Sequence, residues 1–543
     1  MHMQIKITII TQNLLLKKNW EVKLFQYLLN NSQVELSTII INKKTSVTLK
    51  KDLINLINFI LLTIVGFIEK KFIRMRMKTE QDYVKKNLSK KKLQFINQKN
   101  ILDLNNLELL INNDSSDLII NLTNANVNNC NILKFPKFGI WNFLKNEEEN
   151  HEIINDFKNF YNNLQVYKQK ILINEDKFTN QLLSVNFNRF KCFYQTKEYA
   201  SIKICNTLIG EINKICVNNE ISKINKIIMP KKSDLASREK FNFIFSILRY
   251  FLNTYSRIIF RKCYSILSYT KKINEYKWHL AHINSDDYRF NSSELTIHYP
   301  NNDEFWADPF LFNHKNIDYV FFENYKYKDK KGIISVGEII ENKIVNVKDI
   351  IKCNYHLSYP YIFKYEDNVY MIPETHESKR LEIWISKKFP YQWELYKTVF
   401  TGIKMVDSSI LKYKNEYWLF TNIEDDFYND FTTSLCIFKI DSPLLNKIEP
   451  HRLNPVIIGT ENSRNAGSIF IDKNGNFIRP SQAYSEDIYG RYINLSKIIN
   501  LDLNQYKETI IEKIMPNQKD NIKGFHHINK YGNKFVIDVF MKK

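Results

Sequence analysis

Glycine is scarce in this sequence, with 12 in 543 residues. No GxGxxG and no GxxxxGK[ST] follows the first predicted strand, so a dinucleotide site or a P-loop has no support. The seven cysteines stand at 130, 192, 205, 216, 263, 353 and 436. They form no CxxC and their number is odd, which points to free thiols in a reducing compartment. A long apolar run is also missing. Leu53–Ile68, "LINLINFILLTIVGFI", is the most membrane-like stretch. It holds two Asn and falls short of the roughly 20 residues a span needs, so a buried or interfacial helix is expected. The N-terminus "MHMQIKITIITQN" lacks the layout of a signal peptide and reads as a first β-strand.

What is present is apolar, aromatic and basic. The chain is 44% hydrophobic and 14% aromatic, enough for real cores, and its formal net charge is +20. Basic clusters occur at Lys70–Lys78, Lys85–Lys92 and Lys231–Lys262. None forms an aromatic-interleaved RNA motif, so nucleic acid is not expected as a partner, and a membrane surface or an anionic glycan is favoured over it. Asn, Ile and Lys are so abundant that the skew reads as base composition, which weakens Asn as a turn signal.

The first 230 residues alternate between strands and helices. "IKITIIT", "VELSTIIIN", "DLIINLTN" and "FGIWNF" read as four strands, with a long basic helical stretch to about Asn100. That alternation predicts an α/β domain with an open, mostly parallel sheet over 1–230. Residues 231–283 carry aromatic and aliphatic residues at helical spacing among Arg and Lys, and predict a basic amphipathic helical linker, either packed or lying on a membrane.

From about residue 284 the pattern becomes β-rich and repeats. Five segments begin at Trp306, Ser358, Val406, Ala466 and Gly524. Each opens on small or polar residues, runs apolar for a short strand, turns, and returns as a second apolar strand. Starts about 50 to 60 residues apart with a hairpin in each unit predict an all-β five-bladed β-propeller over 284–543.

In a propeller the starts of the innermost strands and the ends of the second strands meet at one mouth. Asp308 and Glu323 come from the first unit, Glu374 and His376 from the second, Asp407 from the third. Arg464, Arg479 and Gln482 come from the fourth, and His526 from the fifth. Each alone is as easily a turn former. Together they suit a sugar. Carboxylates accept from hydroxyls, Trp306 stacks on a pyranose face and Arg handles an anionic substituent. Asp308, Asp407 and Glu374 are the candidate catalytic groups. Trp306, Glu323, His376, Arg464, Arg479, Gln482 and His526 are the candidate substrate contacts. The His residues lack a short ligand spacing, so hydrogen bonding is expected there and no metal site is assigned.

"WADPFLF", "YPYIF", "VDSSIL", "SRNAGSIF", "RPSQAYSEDIYG" and "KGFHHI" resemble the five-bladed, glycoside hydrolase family 43-like propeller. They are closer to the version in the N-terminal domain of plant glucosamine inositolphosphorylceramide transferases. The resemblance covers roughly 275–543. It implies that Asp308 stands where the hydrolases carry a general base and Asp407 where they carry the residue that tunes the acid. No Glu stands at the entrance "RNAGSIF", where the hydrolases carry the acid; Glu461 and Glu374 are the nearest substitutes. The N-terminal third resembles a formyltransferase-like domain in "IKITIITQN", "SDLIINLTNAN" and "KFGIWNFLKN". Asn142 matches the family's Asn, but Leu144 stands where its His would be, which implies a degenerate domain. No cofactor is expected, except a folate derivative if that domain is active.

These readings imply a cytoplasmic protein, peripheral at the inner face of a membrane, that acts on carbohydrate in cell-surface glycan or glycolipid assembly. A sugar, a nucleotide-sugar or a glycolipid is the expected substrate. Three activities stay open: glycosyl transfer or hydrolysis, non-catalytic glycan binding, and formyl transfer to an amino sugar.

Overall fold

The structure is a computed structural model. It describes residues 4–11, 19–42, 53–69, 82, 84–88, 94–98, 115–123, 135–143, 156–158, 160–161, 166–174, 180–188, 190, 192–219 and 243–267 of the N-terminal half. In the C-terminal half it describes 276–424, 430–485, 488–517 and 521–542. The cluster Lys70–Lys78, Cys130 and Leu144 lie outside the described residues. The chain divides into two compact units, Met1–Lys271 and Lys272–Lys543.

The first unit is built on one sheet. Its strands are β1 (Ile5–Thr11), β2 (Val34–Asn42), β3 (Gln94–Gln98), β4 (Leu118–Asn121), β5 (Ile140–Phe143), β6 (Val166–Asn174) and β7 (Asn180–Asn188). Their order is β3-β2-β1-β4-β5-β6-β7. The first five run parallel, and β6 and β7 add an antiparallel hairpin at one edge. Six of the seven residues of β1 are buried, the near-continuous burial of a strand covered on both faces. The open, mostly parallel sheet is as expected. Two elements differ: β3 lies inside the stretch read as helical to Asn100, and the hairpin β6–β7 had no sequence signal strong enough to predict it.

Among the described residues, four long helices accompany the sheet: α1 (Asn19–Asn30), α2 (Leu53–Glu69), α3 (Phe193–Asn218) and α4 (Phe243–Leu267). α1 buries Trp20, Leu24, Phe25 and Leu28 and packs on α3, where Tyr27 Oη donates to Asn213 Oδ1 at 2.7 Å. α3 ends at Asn219, which takes the left-handed conformation and donates its N–H to Ile215 O. The Glu69 carboxylate at the end of α2 accepts from the backbone N–H of Tyr194 at 2.8 Å and from the hydroxyl of Tyr250, so one side chain ties α2, α3 and α4 together. Asn142, at the end of β5, accepts from Asn121 Nδ2 at 2.8 Å.

The second unit is a five-bladed propeller. The innermost strands are Glu304–His314, Ser358–Tyr365, Met405–Tyr413, the broken pair Arg464–Asn465 and Phe470–Ile471, and the broken pair Ile522–Gly524 and Ile528–Tyr531. The fifth blade is completed by Tyr276–Asn284 and Thr296–His298, which pair beyond Lys534–Lys542. Tyr276–Asn284 was expected in the helical linker. It is instead the strand that closes the ring, and its partner is too distant in sequence for a local pattern to reveal. Two-residue turns with both residues at positive φ join several strands, at Lys315–Asn316, Glu341–Asn342 and Lys414–Asn415. These are type I′ hairpins, so the asparagines discounted as compositional do turn work here. The core runs in clusters between blades, one joining Phe310, Tyr361 and Leu419 and another joining Ala466, Ile478 and Ile537.

Candidate functional site

The first three innermost strands share one irregularity. Their ladders skip two residues, between Ala307 and Phe310, Ser358 and Tyr361, and Val406 and Ser409. The first skipped residue in each is left-handed: Asp308 at φ 50°, Tyr359 at 44° and Asp407 at 52°. Gly467 has φ 128° in the fourth blade, and a Cβ there would meet Ile528 O at 1.8 Å. Such bulges re-aim a side chain, and a non-glycine residue held there costs on the order of 1–3 kcal/mol. Their recurrence at equivalent entrances marks this end of the propeller as built for something other than stability.

Asp308 is held by the first, second and fifth blades. Its Oδ1 lies 3.1 Å from His526 Nε2, and its Oδ2 accepts from Tyr359 N at 3.2 Å. His526 Nδ1 in turn lies 3.0 Å from Asp538 Oδ2. Asp538 also accepts from the backbone N–H groups of Asp308, His526 and His527 at 3.1, 3.0 and 2.9 Å. Burial alone would disfavour a charged His526, but Asp538 and Asp308 push it up to about 10. Burial would likewise raise Asp308, yet the charge and hydrogen bond of His526 hold it at about 2. His527, one residue on, is lowered to about 4 because burial prevails.

The ligand atoms of Asp308, His526 and Asp538 lie within 4.8 Å of one another, close enough to hold a metal ion. Each ring nitrogen of His526 already faces a carboxylate, so the imidazolium supplies the positive charge a metal would bring.

Glu323 and Glu374 are the second-strand partners of the first two entrances, opposite Ala307 and Ser358. Burial, and then the charge of Asp308, raises the Glu323 carboxyl well above the usual range. His356 Nδ1 accepts from Gly332 N at 3.0 Å, which leaves its Nε2 to donate toward Glu323 Oε1 at 3.4 Å. Gly332 makes the room, because a Cβ there would stand 2.7 Å from Glu323 Oε1 and 2.4 Å from Leu357 O. Glu374 accepts from Ser358 Oγ at 3.0 Å and is bonded to His376 Nδ1. Burial pushes Glu374 up, but His376, His356 and Arg464 together hold it below its ordinary value. Two glutamates lining one cavity are thus shifted in opposite directions.

These groups line a cavity of about 260 Å³. Asp308, Glu323, Glu374, His376, Arg464 and His526 all reach it, as do Trp278, Phe305, His356, Ser358 and Phe431. Four of the expected residues do not. Trp306 turns away and packs on Phe322 with ring centroids 4.9 Å apart. Strand alternation sends Phe305 and Ala307 to the cavity and Trp306 to the other face. Asp308 reaches the cavity only because the bulge breaks that alternation. Asp407 stands behind Arg464, whose Nε donates to its Oδ2 at 2.6 Å, and burial raises it to about 6 against the pull of that guanidinium. Gln482 Nε2 donates to Asn465 O at 3.1 Å, also behind the wall. Arg479 is fully buried and paired through two nitrogens with Glu508 at 2.7 and 2.6 Å. Glu461, a candidate acid, is exposed beside Lys513 at 3.5 Å and does not line the cavity.

Trp278, Phe305, His356 and Phe431 line the cavity without having been expected there. Trp278 lies on the closing strand, with its ring 4.2 Å from that of His526; the alternation in "WHLAHIN" was the signal available for it. His356 sits just before the second entrance, in a segment with no periodicity to mark it.

The buried clamp makes a pH prediction. His526 titrates at about 10 in the fold against an ordinary 6.5, so its contribution is complete below pH 6.5 and is lost as pH rises through about 10. Glu323, raised in the fold, acts in the same direction. Thermal melts of the full chain should show stability falling across this window, and His526→Gln should flatten the fall. An unchanged slope in the variant would remove His526 as its cause.

Among solved structures, a family 117 glycoside hydrolase from Zobellia galactanivorans is 12% identical, with TM-score 0.31, covering 44% of this chain and 76% of that one. An endo-arabinase from Bacteroides thetaiotaomicron is 14% identical, with TM-score 0.32, covering 44% and 93%. Glucosamine inositolphosphorylceramide transferase 1 of Oryza sativa subsp. japonica is 32% identical over 242 residues, which is 42% of this chain and 32% of the relative. The protein of that name from Arabidopsis thaliana is 32% identical over 208 residues, 38% and 27% of the two chains. The chain therefore spans about a third of the length of these relatives or less. They lend no support to the formyltransferase resemblance of the first unit. Residues 292–532, all within the propeller unit, match the family described as glucosamine inositolphosphorylceramide transferase 1, N-terminal.

Proposed function

We propose that the propeller mouth binds one sugar residue of a glycan or glycolipid and acts on its glycosidic linkage, by transfer or a related step. The observation that carries this reading is the split between Glu323, raised, and Glu374, lowered, in one small cavity. Groups whose surroundings drive their protonation apart are the parts of acid–base catalysis. Glu323, kept protonated by burial, donates its proton to the leaving oxygen. Glu374, ionised and backed by His376, takes the proton of the incoming hydroxyl. Asp308 supplies fixed negative charge beneath the developing positive charge on the sugar. Trp278 and Phe305 offer the apolar wall on which a pyranose face rests. A cavity of about 260 Å³ is below the roughly 300–1,000 Å³ of sites for drug-sized ligands, which suits a single ring. The relatives bear the name glucosamine inositolphosphorylceramide transferase 1, which supports a sugar or glycolipid substrate.

A second reading is non-catalytic glycan binding. It is favoured by the fourth entrance, where Arg464, bonded to Asp407, stands in place of an acid. The test is a soak of the full protein with methyl glycosides of amino, neutral and acidic sugars. Density for one ring against Trp278 is expected. No ring in the mouth with any of them would end both readings.

A further inference from the structure

The first unit carries a surface that the propeller does not explain. α2 buries Asn58, Leu62, Val65 and Glu69 along one face, and α4 buries Phe243, Ser246, Ile247 and Tyr250. The opposite faces are apolar as well. Ile57, Ile60, Ile64 and Phe67 are exposed on α2, and Ile244, Phe245, Leu248 and Leu252 on α4. Among the described residues, every large apolar side chain exposed in the first unit sits on one of these two helices. Phe67 is 76% exposed and Leu252 70%. An apolar surface of this kind marks a docking site rather than a solvated face.

The charge around it selects the occupant. α4 contains Arg249, Arg257, Arg261 and Lys262 and no acidic residue. The acid of α2, Glu69, is fully buried, with its oxygens on Tyr194 and Tyr250. The sequence directly after α2 is "KKFIRMRMK", again without an acid. Apolar helix faces on segments whose charged residues are predominantly basic match an anionic lipid interface, where apolar side chains enter the headgroup boundary and cations meet the lipid charge. Among the described residues no helix is long and apolar enough to cross a membrane. α2, at 17 residues, reaches about 26 Å, short of the roughly 30 Å hydrocarbon core.

We infer that α2 and α4 together form a docking surface for the face of an anionic bilayer. This stands independently of the reading of the propeller. The test is co-sedimentation of the full chain with phosphatidylcholine vesicles, with and without phosphatidylglycerol. Binding to the anionic vesicles is expected, weaker to neutral ones and weakened by salt. Phe67→Asp with Leu252→Asp should lower partitioning by about tenfold or more. Phe67→Gln with Leu252→Gln, a milder pair at the same exposed positions, should lower it in the same direction with an unchanged melting temperature. Failure of the unaltered protein to bind anionic vesicles would overturn the inference, as would equal binding by both variants. A shift from dimer to monomer in light scattering on making the variants, without vesicle binding by the parent, would assign the surface to a second copy instead.

Discussion

Asp308→Asn is expected to lower turnover by about 10²- to 10³-fold, the range seen when one preorganised electrostatic group is removed from a transition state. The change keeps the side chain's shape and removes its charge. Two further effects separate a chemical role from a structural one. The charge of Asp308 helps keep Glu323 protonated, so its removal lowers the Glu323 pKa. Residual activity that depends on a protonated Glu323 must then fall away at a lower pH than in the parent, and the alkaline limb of the pH–rate profile moves down. His526 also loses one of the two carboxylates that raise it. Its pKa falls and the alkaline loss of stability begins earlier. Unchanged turnover would eliminate Asp308 from the reaction. Lowered activity with an unmoved pH profile would confine it to a structural role.

The largest stability effect is expected at Arg479. Its guanidinium is fully buried, pairs with Glu508 through Nε and Nη2, and reaches Asn465 Oδ1 at 3.2 Å and Asn462 O at 2.5 Å. Arg479→Met leaves Glu508 buried without its cation, a loss of about 3–5 kcal/mol. For a unit of this size that lowers the melting temperature by on the order of 10 °C. Arg479→Met with Glu508→Leu removes both charges and should recover much of the loss, since apolar replacement of a whole buried pair is often neutral. If the double variant melts no higher than the single one, the pair is not what holds the fourth blade.

The propeller was legible because its signal is local and repeated. A short apolar strand, a tight turn and a returning strand recur five times. Even the broken inner strands at Arg464–Asn465 and Ile522–Gly524 kept their small or polar entrances. The positions of Asp308, Glu323, Glu374, His376, Arg464 and His526 follow from that repeat. What failed was inference about which way a side chain points. Trp306 and Asp308 are two apart, so strict alternation puts them on one face, and only the two-residue bulge separates them. Arg479 fails for a different reason. Its partner, Glu508, lies on the outer strand Tyr506–Ile514, and nothing near Arg479 in sequence announces it. Trp278 was missed because its segment read as the end of the helical linker, while the strand that carries it pairs with the far end of the chain. In the first unit the alternation of strands and helices showed the sheet, but β3 sat within a basic stretch whose composition resembled its helical surroundings.

That closing strand has a consequence for biogenesis. On the ribosome Tyr276–Asn284 is made before any other strand of the propeller, and its partner Lys534–Lys542 after all of them. Until then the early strand has only the short Thr296–His298 to pair with, and the ring is an open arc. Asp538 lies on the late strand and Trp278 on the early one, so the His526 clamp and the apolar wall come into being together, at the final stitch. A nascent chain can hold four finished blades and still have no site.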